Sequence, residues 1–145
     1  MPIISGSAST IREVRITKGP FTNTAENGAI GIITVATVTG SVYIHRIIPM
    51  VTQTVTSGGA ATLTLGTTSV ATGMIGSTTA TNLAANEFWA TTGAADVGYV
   101  NVSDTITSAV VSENIIMTVG TAALTAGTIV FGIVWEPVSA GASLV

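Results

Sequence analysis

The sequence predicts an all-β protein, an antiparallel β-sandwich or jelly roll of about eight strands behind an extended N-terminal arm. Short runs of alternating residues are separated by turn signals every 8–12 residues or so, which is typical of sandwiches and barrels. Threonine, which is stiff at χ1 and suits a pleated surface, occurs 26 times among the 145 residues. No stretch keeps a helical period over three turns, and no internal repeat is visible, which argues against bundles, propellers and solenoids.

The N-terminal part divides into an arm and a first strand. Residues 1–10 are rich in Ser, Gly and Ala, which predicts an extended arm. Residues 11–17 alternate, and their charged side chains predict an edge strand with its charges outward. We therefore divide the chain into an arm with an edge strand, 1–26, and a β-sandwich domain, 27–145.

The next two strands are predicted to be antiparallel neighbours. The run 29–38 is rich in β-branched residues, and Gly40 offers a turn before the apolar run 41–51. Pro49 lacks an N–H group for a sheet ladder, so we expect it to mark a bulge or the end of its strand.

The middle of the chain carries shorter signals. Further strands are predicted at 61–66, 87–90, 95–102 and 104–111. The stretch 70–75 is ambiguous. Residues 77–86 predict a short turn of helix or a loop.

The C-terminal region predicts a β-hairpin. Two apolar strands, 114–121 and 128–135, are separated by small residues, and Gly127 offers a positive φ for the turn.

The second strand of this pair is apolar on both faces. Phe131 and Trp135 lie on one face, and Val130 and Val134 fill the alternate positions. Such a strand belongs in the middle of a sheet. Pro137 is expected to end it.

Composition excludes several functions. Only 8% of residues are charged and 47% are hydrophobic, yet no run is long enough for a membrane helix. The net charge of −3 argues against general nucleic-acid binding, and the absence of cysteine excludes disulfides and thiolate metal sites. Solubility then depends on polar uncharged side chains and on surface hidden in an assembly.

The charges are unevenly distributed along the chain. All four basic side chains, Arg12, Arg15, Lys18 and Arg46, lie in the first third, and only acids follow Arg46. One interpretation is neutralisation within the molecule. The other is that Arg12, Arg15 and Lys18 form the contact with an acidic partner or a neighbouring subunit, helped by the arm before them.

No catalytic or cofactor constellation is visible. His45 is the only histidine, so a His-rich metal site cannot form, and a surface or hydrogen-bonded strand residue is the better interpretation. The acids stand singly, and no Gly-x-Ser-x-Gly motif occurs. The aromatic residues Phe88, Trp89, Tyr99 and Trp135 could line a sugar-binding face, although core positions are favoured. We expect no enzyme and no cofactor.

Two segments resemble small virion proteins of tailed phages. Residues 58–67 read GGAATLTLGT and are followed by a loop of small residues and then Trp89, and residues 135–139 read WEPVS. The resemblance covers about residues 57–139 and is carried by composition as well as by motif.

This resemblance implies a capsid decoration, or cement, protein of β-sandwich or jelly-roll fold. Such proteins sit on the capsid surface of the virion, often as homotrimers, and bind across subunits of the major capsid protein without chemistry. We therefore expect this chain to form a homotrimer and to bind the major capsid protein. The alternatives are a phage tail or fibre component, or a carbohydrate-binding jelly-roll module that uses Trp89 and Tyr99.

Overall fold

The structure, a computed structural model, describes residues 11–95, 101 and 104–145, and in them it is all-β with antiparallel sheets. In chain order the strands are β1 (Arg12–Lys18), β2 (Gly31–Ala36), β3 (Val38–Thr39), β4 (Val42–Ser57), β5 (Thr62–Thr67), β6 (Ile75–Thr79), β7 (Phe88–Ala90), β8 (Gly93–Ala95), β9 (Ile106–Val111), β10 (Ile115–Gly120), β11 (Leu124–Pro137) and β12 (Ser143–Leu144). Eight of these have five or more residues. The other four have two or three, and among them β7 lies within the predicted strand 87–90.

A single turn of 3-10 helix, Ala80–Asn82, follows β6 within the stretch 77–86 that was predicted as a helical turn or loop, but residues 77–79 of that stretch belong to strand β6. The predicted arm, 1–10, and most of the predicted strand 95–102 lie outside the described residues.

The strands form two main sheets and one small one. The larger sheet has the order β1-β11-β4-β7-β8, and β9 also pairs with β4. The second sheet has the order β2-β10-β5-β6, and β12 pairs with β3 alone. Strand β1 is thus an edge strand, as the sequence predicted.

Both sheets contribute to one hydrophobic core. Alternate side chains of β4 and β11, such as Ile44, Phe131 and Ile133, are buried in the same cluster as Leu63 of β5 and Met117 of β10. Each buried side chain of this size contributes about 1.5–3 kcal/mol relative to exposure. The core therefore depends on the period of two along the strands of both sheets.

Strand β11 lies inside the larger sheet, as predicted, with β1 on one side and β4 on the other. It ends at Pro137, also as predicted. Gly127 has the expected positive φ, 116°, but it lies inside β11 where the pairing with β4 shifts register. A Cβ there would come within 2.7 Å of the Val55 Cα, so the close approach of the two strands also requires glycine.

The predicted C-terminal hairpin is wrong. Strand β10 pairs with β2 and β5 in the smaller sheet, whereas β11 pairs with β1 and β4 in the larger sheet. Strands 29–38 and 41–51 are not neighbours either, because β2 and β4 belong to different sheets. In both cases the two consecutive strands lie in different sheets and do not pair with each other. Their apolar faces meet in the common core.

Pro49 neither ends nor bulges its strand, since β4 continues to Ser57 without a register shift at Pro49. Val51 exchanges backbone hydrogen bonds with the segment before β7, through Glu87 and Asn86. Backbone N–H groups alternate sides along a strand, so the backbone nitrogen of Pro49 points to the same side as the N–H group of Val51, towards β7 and β9. There it meets the gap between the β9 pairing, which stops at Ile47, and the β7 pairing at Met50. Among the described residues no strand pairs with Pro49 on this side, so its missing N–H group leaves no ladder bond unmade.

Candidate functional site

The outer face of the larger sheet, which points away from the core, carries an ordered array of side chains. Paired residues on neighbouring strands lie side by side on one face, so the registers define rows that cross the sheet. The rows are Glu136–Tyr43–Val110, Glu13–Val134–Arg46, Arg15–Gly132–Ile48 and Thr17–Val130–Met50–Phe88. The first two rows are rich in polar and charged groups, whereas the last two are largely apolar.

A groove of about 270 Å³ occupies the apolar part of this face. Its lining residues come from β1, β11, β4 and β7 and are Glu13, Arg15, Ile48, Met50, Phe88, Val130, Gly132 and Val134. We call this feature the outer groove. Its floor is aliphatic, and Glu13 and Arg15 form its rim on the edge strand.

Gly132 makes the outer groove deep in its middle. It stands between Arg15 and Ile48 in the third row and has no side chain to fill the space. A Cβ at this position would meet only the Ile48 carbonyl oxygen, at an ordinary contact distance of 3.7 Å. The backbone here does not require glycine, so the depression exists because the side chain is absent.

Val130 and Val134, which line the outer groove, also belong to the apolar pattern seen in the sequence of β11. They are the alternate residues that make β11 apolar on both faces. The core covers the face of Phe131 and Trp135, but Val130 and Val134 remain half-buried on the outside. A place in the middle of a sheet is enough to explain an apolar pattern on both faces of a strand, so the pattern alone does not indicate a groove.

A polar cluster borders the groove where the pairing of β4 and β11 shifts. Arg46 pairs with Val134 and Ile44 with Trp135, so His45 is an extra residue on β4 and forms a bulge. The His45 Nε2 atom lies 3.7 Å from a carboxylate oxygen of Glu136, and the His45 ring meets Tyr43 edge-on at 4.6 Å between centroids. His45 is therefore a half-exposed strand histidine, as the preferred interpretation had it.

Two buried nitrogen atoms of this cluster lack a hydrogen-bond partner in the described structure. They are Nε2 of His45 and Nε of Arg46. Buried polar atoms are normally paired, because an unsatisfied one costs about 1–3 kcal/mol. Both atoms lie beside the edge of the outer groove nearest to Val134, but they are covered, so a partner reaches them only if the His45 and Arg46 side chains move.

The three predicted contact residues do not form one patch. Arg15 lies on the rim of the outer groove, 3.7 Å from Glu13, with both side chains mostly exposed. Arg12 and Lys18 alternate to the core-facing side of β1, where the Arg12 guanidinium stacks 5.2 Å from the centre of the Trp135 ring. Their role as partner contacts stays a prediction, and Arg15 is the one placed at the groove.

The aromatic residues proposed for sugar binding are mostly internal. Trp89 is 1% exposed, and its Nε1 group donates a hydrogen bond of 2.9 Å to the Thr78 hydroxyl. Trp135 is 4% exposed. Phe88 lines the outer groove, and Tyr99 lies outside the described residues. Neither tryptophan presents a ring face on which a sugar could stack.

Glu113, in the turn between β9 and β10, is an acidic residue whose pKa is shifted by its hydrogen bonds. The hydroxyl and the backbone N–H of Ser69 both donate hydrogen bonds to its carboxylate, which hold the pKa of Glu113 below its ordinary value. This pair joins two turns and contacts no groove. Within 11–95, 101 and 104–145 no group of three His, Cys, Asp or Glu residues is placed to hold a metal ion.

None of the helical segments in the described part of the chain has the length and apolarity needed to cross a membrane. Comparison with protein-family models, with curated proteins and with solved structures finds no match for this chain.

Proposed function

We propose that this protein is a non-enzymatic structural protein of a tailed-phage virion. In this proposal it decorates the capsid surface and stabilises the shell by binding across subunits of the major capsid protein. Its two main sheets are then the layers of the sandwich or jelly roll that the resemblance implies. The observation that supports the proposal most directly is the outer groove, which serves as the contact surface for the shell.

The outer groove has the chemistry of a protein-binding surface. Protein interfaces have an apolar, charge-depleted centre and a polar rim. Here Ile48, Val130 and Met50 provide the centre, with Met50 38% exposed, and Glu13 and Arg15 provide the rim.

The polar cluster indicates what the partner supplies. Arg46 is positively charged and half-exposed, while Val134 beside it is apolar. An extended segment that places a carboxylate at Arg46 and aliphatic side chains over Val134 and Ile48 would satisfy both. A charge-assisted hydrogen bond to an arginine is worth more than a neutral one, so this contact would fix the orientation of the segment.

Filling the groove tests the proposal. Gly132→Val adds an isopropyl group to the groove floor, and valine suits a strand, so the fold is expected to tolerate it. We expect the dissociation constant for isolated empty capsids, measured by co-sedimentation, to rise at least tenfold.

Gly76→Val is the matched control. Gly76 lies on β6 of the other sheet, and a Cβ there meets nothing within 4 Å. This variant should bind capsids like the unmodified protein. Equal binding by the Gly132→Val and Gly76→Val proteins would remove the outer groove as the contact surface.

A further inference from the structure

Strand β1 presents one free side of the larger sheet. In the described structure it pairs with β11 on one side and with no strand on the other. An unpaired strand edge is a template for pairing with another chain unless charges block it. The charged residues of β1 are therefore informative, because their positions decide what can pair there.

The backbone groups on the free side can be assigned by alternation. The backbone N–H and C=O groups of Val51 on β4 bond to the segment before β7. Because these groups alternate sides along a strand, those of Ile48 and Met50 point towards β11. Their partners Gly132 and Val130 then bond to β4, which leaves the odd-numbered residues of β11 to bond to β1.

It follows that Val14, Ile16 and Lys18 of β1, the partners of Ile133, Phe131 and Ile129, use their backbone groups inside the sheet. The N–H and C=O groups of Glu13, Arg15 and Thr17 point to the free edge. An antiparallel partner strand must therefore pair its own outward groups with these three residues.

A second copy of β1 fits this edge in one register that is favoured by charge. With the two-fold axis at Val14, Glu13 of each copy stands opposite Arg15 of the other, and both are hydrogen-bonded pairs. Moving the axis to position 13 would place two glutamates face to face. Moving it to position 15 would do the same with two arginines. Like charges directly opposite destabilise a sheet, whereas opposite charges stabilise it.

We propose that two copies of this protein join through antiparallel β1–β1 pairing centred on Val14. The two larger sheets then form one continuous sheet, and the Glu13 and Arg15 side chains of both copies form a four-charge cluster on its outer face. The Glu13–Arg15 pair of the single chain is mostly exposed, so exchanging it for pairs between chains costs little. Because these residues are also the rim of the outer groove, pairing places the two grooves side by side.

Such a contact uses the same surface on both copies and closes at two. It therefore differs from the trimer that the resemblance implies, and the mass in solution distinguishes the two. It also needs no capsid, so its failure would leave the proposed role of the outer groove unaffected.

A single introduced cysteine tests the register, since the chain has no cysteine of its own. In the proposed register the two Val14 residues form a non-hydrogen-bonded pair, whose Cα atoms lie about 4.5 Å apart. This distance is within the range of a disulfide. We expect the Val14→Cys protein to form a covalent dimer of twice the 14.5 kDa chain mass under mild oxidation.

Ile16→Cys is the control for this experiment. Ile16 has the same orientation on β1, but in the proposed register it faces Arg12 of the other copy. The two Ile16 residues are offset by four positions, about 13 Å along the strand, too far for a disulfide. Cross-linking of both variants to the same extent, or of neither, would overturn the proposed register.

Charge reversal gives an independent readout without oxidation. Glu13→Arg places arginine opposite Arg15 at both pairs, so the dimer dissociation constant from sedimentation equilibrium should rise at least tenfold. The double variant Glu13→Arg/Arg15→Glu restores opposite charges across the axis and should restore the dimer. A monomer or a trimer for the unmodified protein at micromolar concentration, or failure of the double variant to recover association, would contradict the proposal.

Discussion

Trp135 shows how one residue can be assigned to the core from its strand alone. It lies on the inward face of β11, is 4% exposed, and has the Arg12 guanidinium over its ring. We expect Trp135→Ala to lower the free energy of unfolding by about 3–5 kcal/mol, because it leaves a cavity in the core. Urea denaturation measures this change. A loss below about 1 kcal/mol would mean that the ring is not packed.

Glu113 provides a pH-dependent contribution to stability. Its pKa is lowered in the folded protein by the hydrogen bonds from Ser69, first by the hydroxyl and then by the backbone N–H. A lowered carboxyl pKa means that the stabilisation is complete above the unfolded value, near 4.5, and is lost as the pH falls through the folded value.

The comparison of Glu113→Gln with the unmodified protein tests this contribution. The stability difference should be constant above about pH 5 and should shrink as the pH is lowered further. Denaturant titrations at several pH values between 3 and 7 measure it. A difference that does not change with pH would show that the Ser69 contact does not depend on the charge.

At the scale of the elements, the existence of most strands followed from the sequence, but their partners did not. The alternation that defines β10 and β11 is clear, yet it is equally compatible with two strands that pair and with two that face each other across a core. The small residues after β10 suggested a tight turn within one sheet, whereas the chain crosses there to the other sheet. Pairing depends on contacts distant in sequence, such as β1 with β11, and these leave no local signal.

Strand β4 shows a second limit to predicting strands from the sequence. Pro49 is a strong local signal against a continued strand, but the sheet leaves a gap opposite that very position.

The edge strand has a practical consequence for the predicted arm as well. A deletion that tests the arm should stop at residue 10, because a longer one removes β1, whose Val14 and Ile16 pack against the core.

At the scale of the whole molecule, the composition indicated hidden surface without showing where it lies. Hydrophobic residues far outnumber charged ones, so some of the apolar surface was expected to face a partner. The outer groove could not be found in the sequence because it needs the registers of four strands and the missing side chain of Gly132. Arg15 was the one predicted contact that the fold brings to this groove.

The number of bound copies separates capsid decoration from a tail or fibre role. A decoration protein occupies equivalent joints over the whole shell, so empty capsids should bind many copies and reach saturation. Binding only to the intact shell stabilises it by mass action, about 2.7 kcal/mol for each site when the free concentration is 100 times the dissociation constant. The temperature of capsid disruption should therefore rise with added protein until the sites are full. The Gly132→Val protein should give a clearly smaller rise at the same concentration, whereas Gly76→Val should match the unmodified protein. Saturation at a few copies per particle, without a shift in disruption temperature, would favour the tail or fibre role instead.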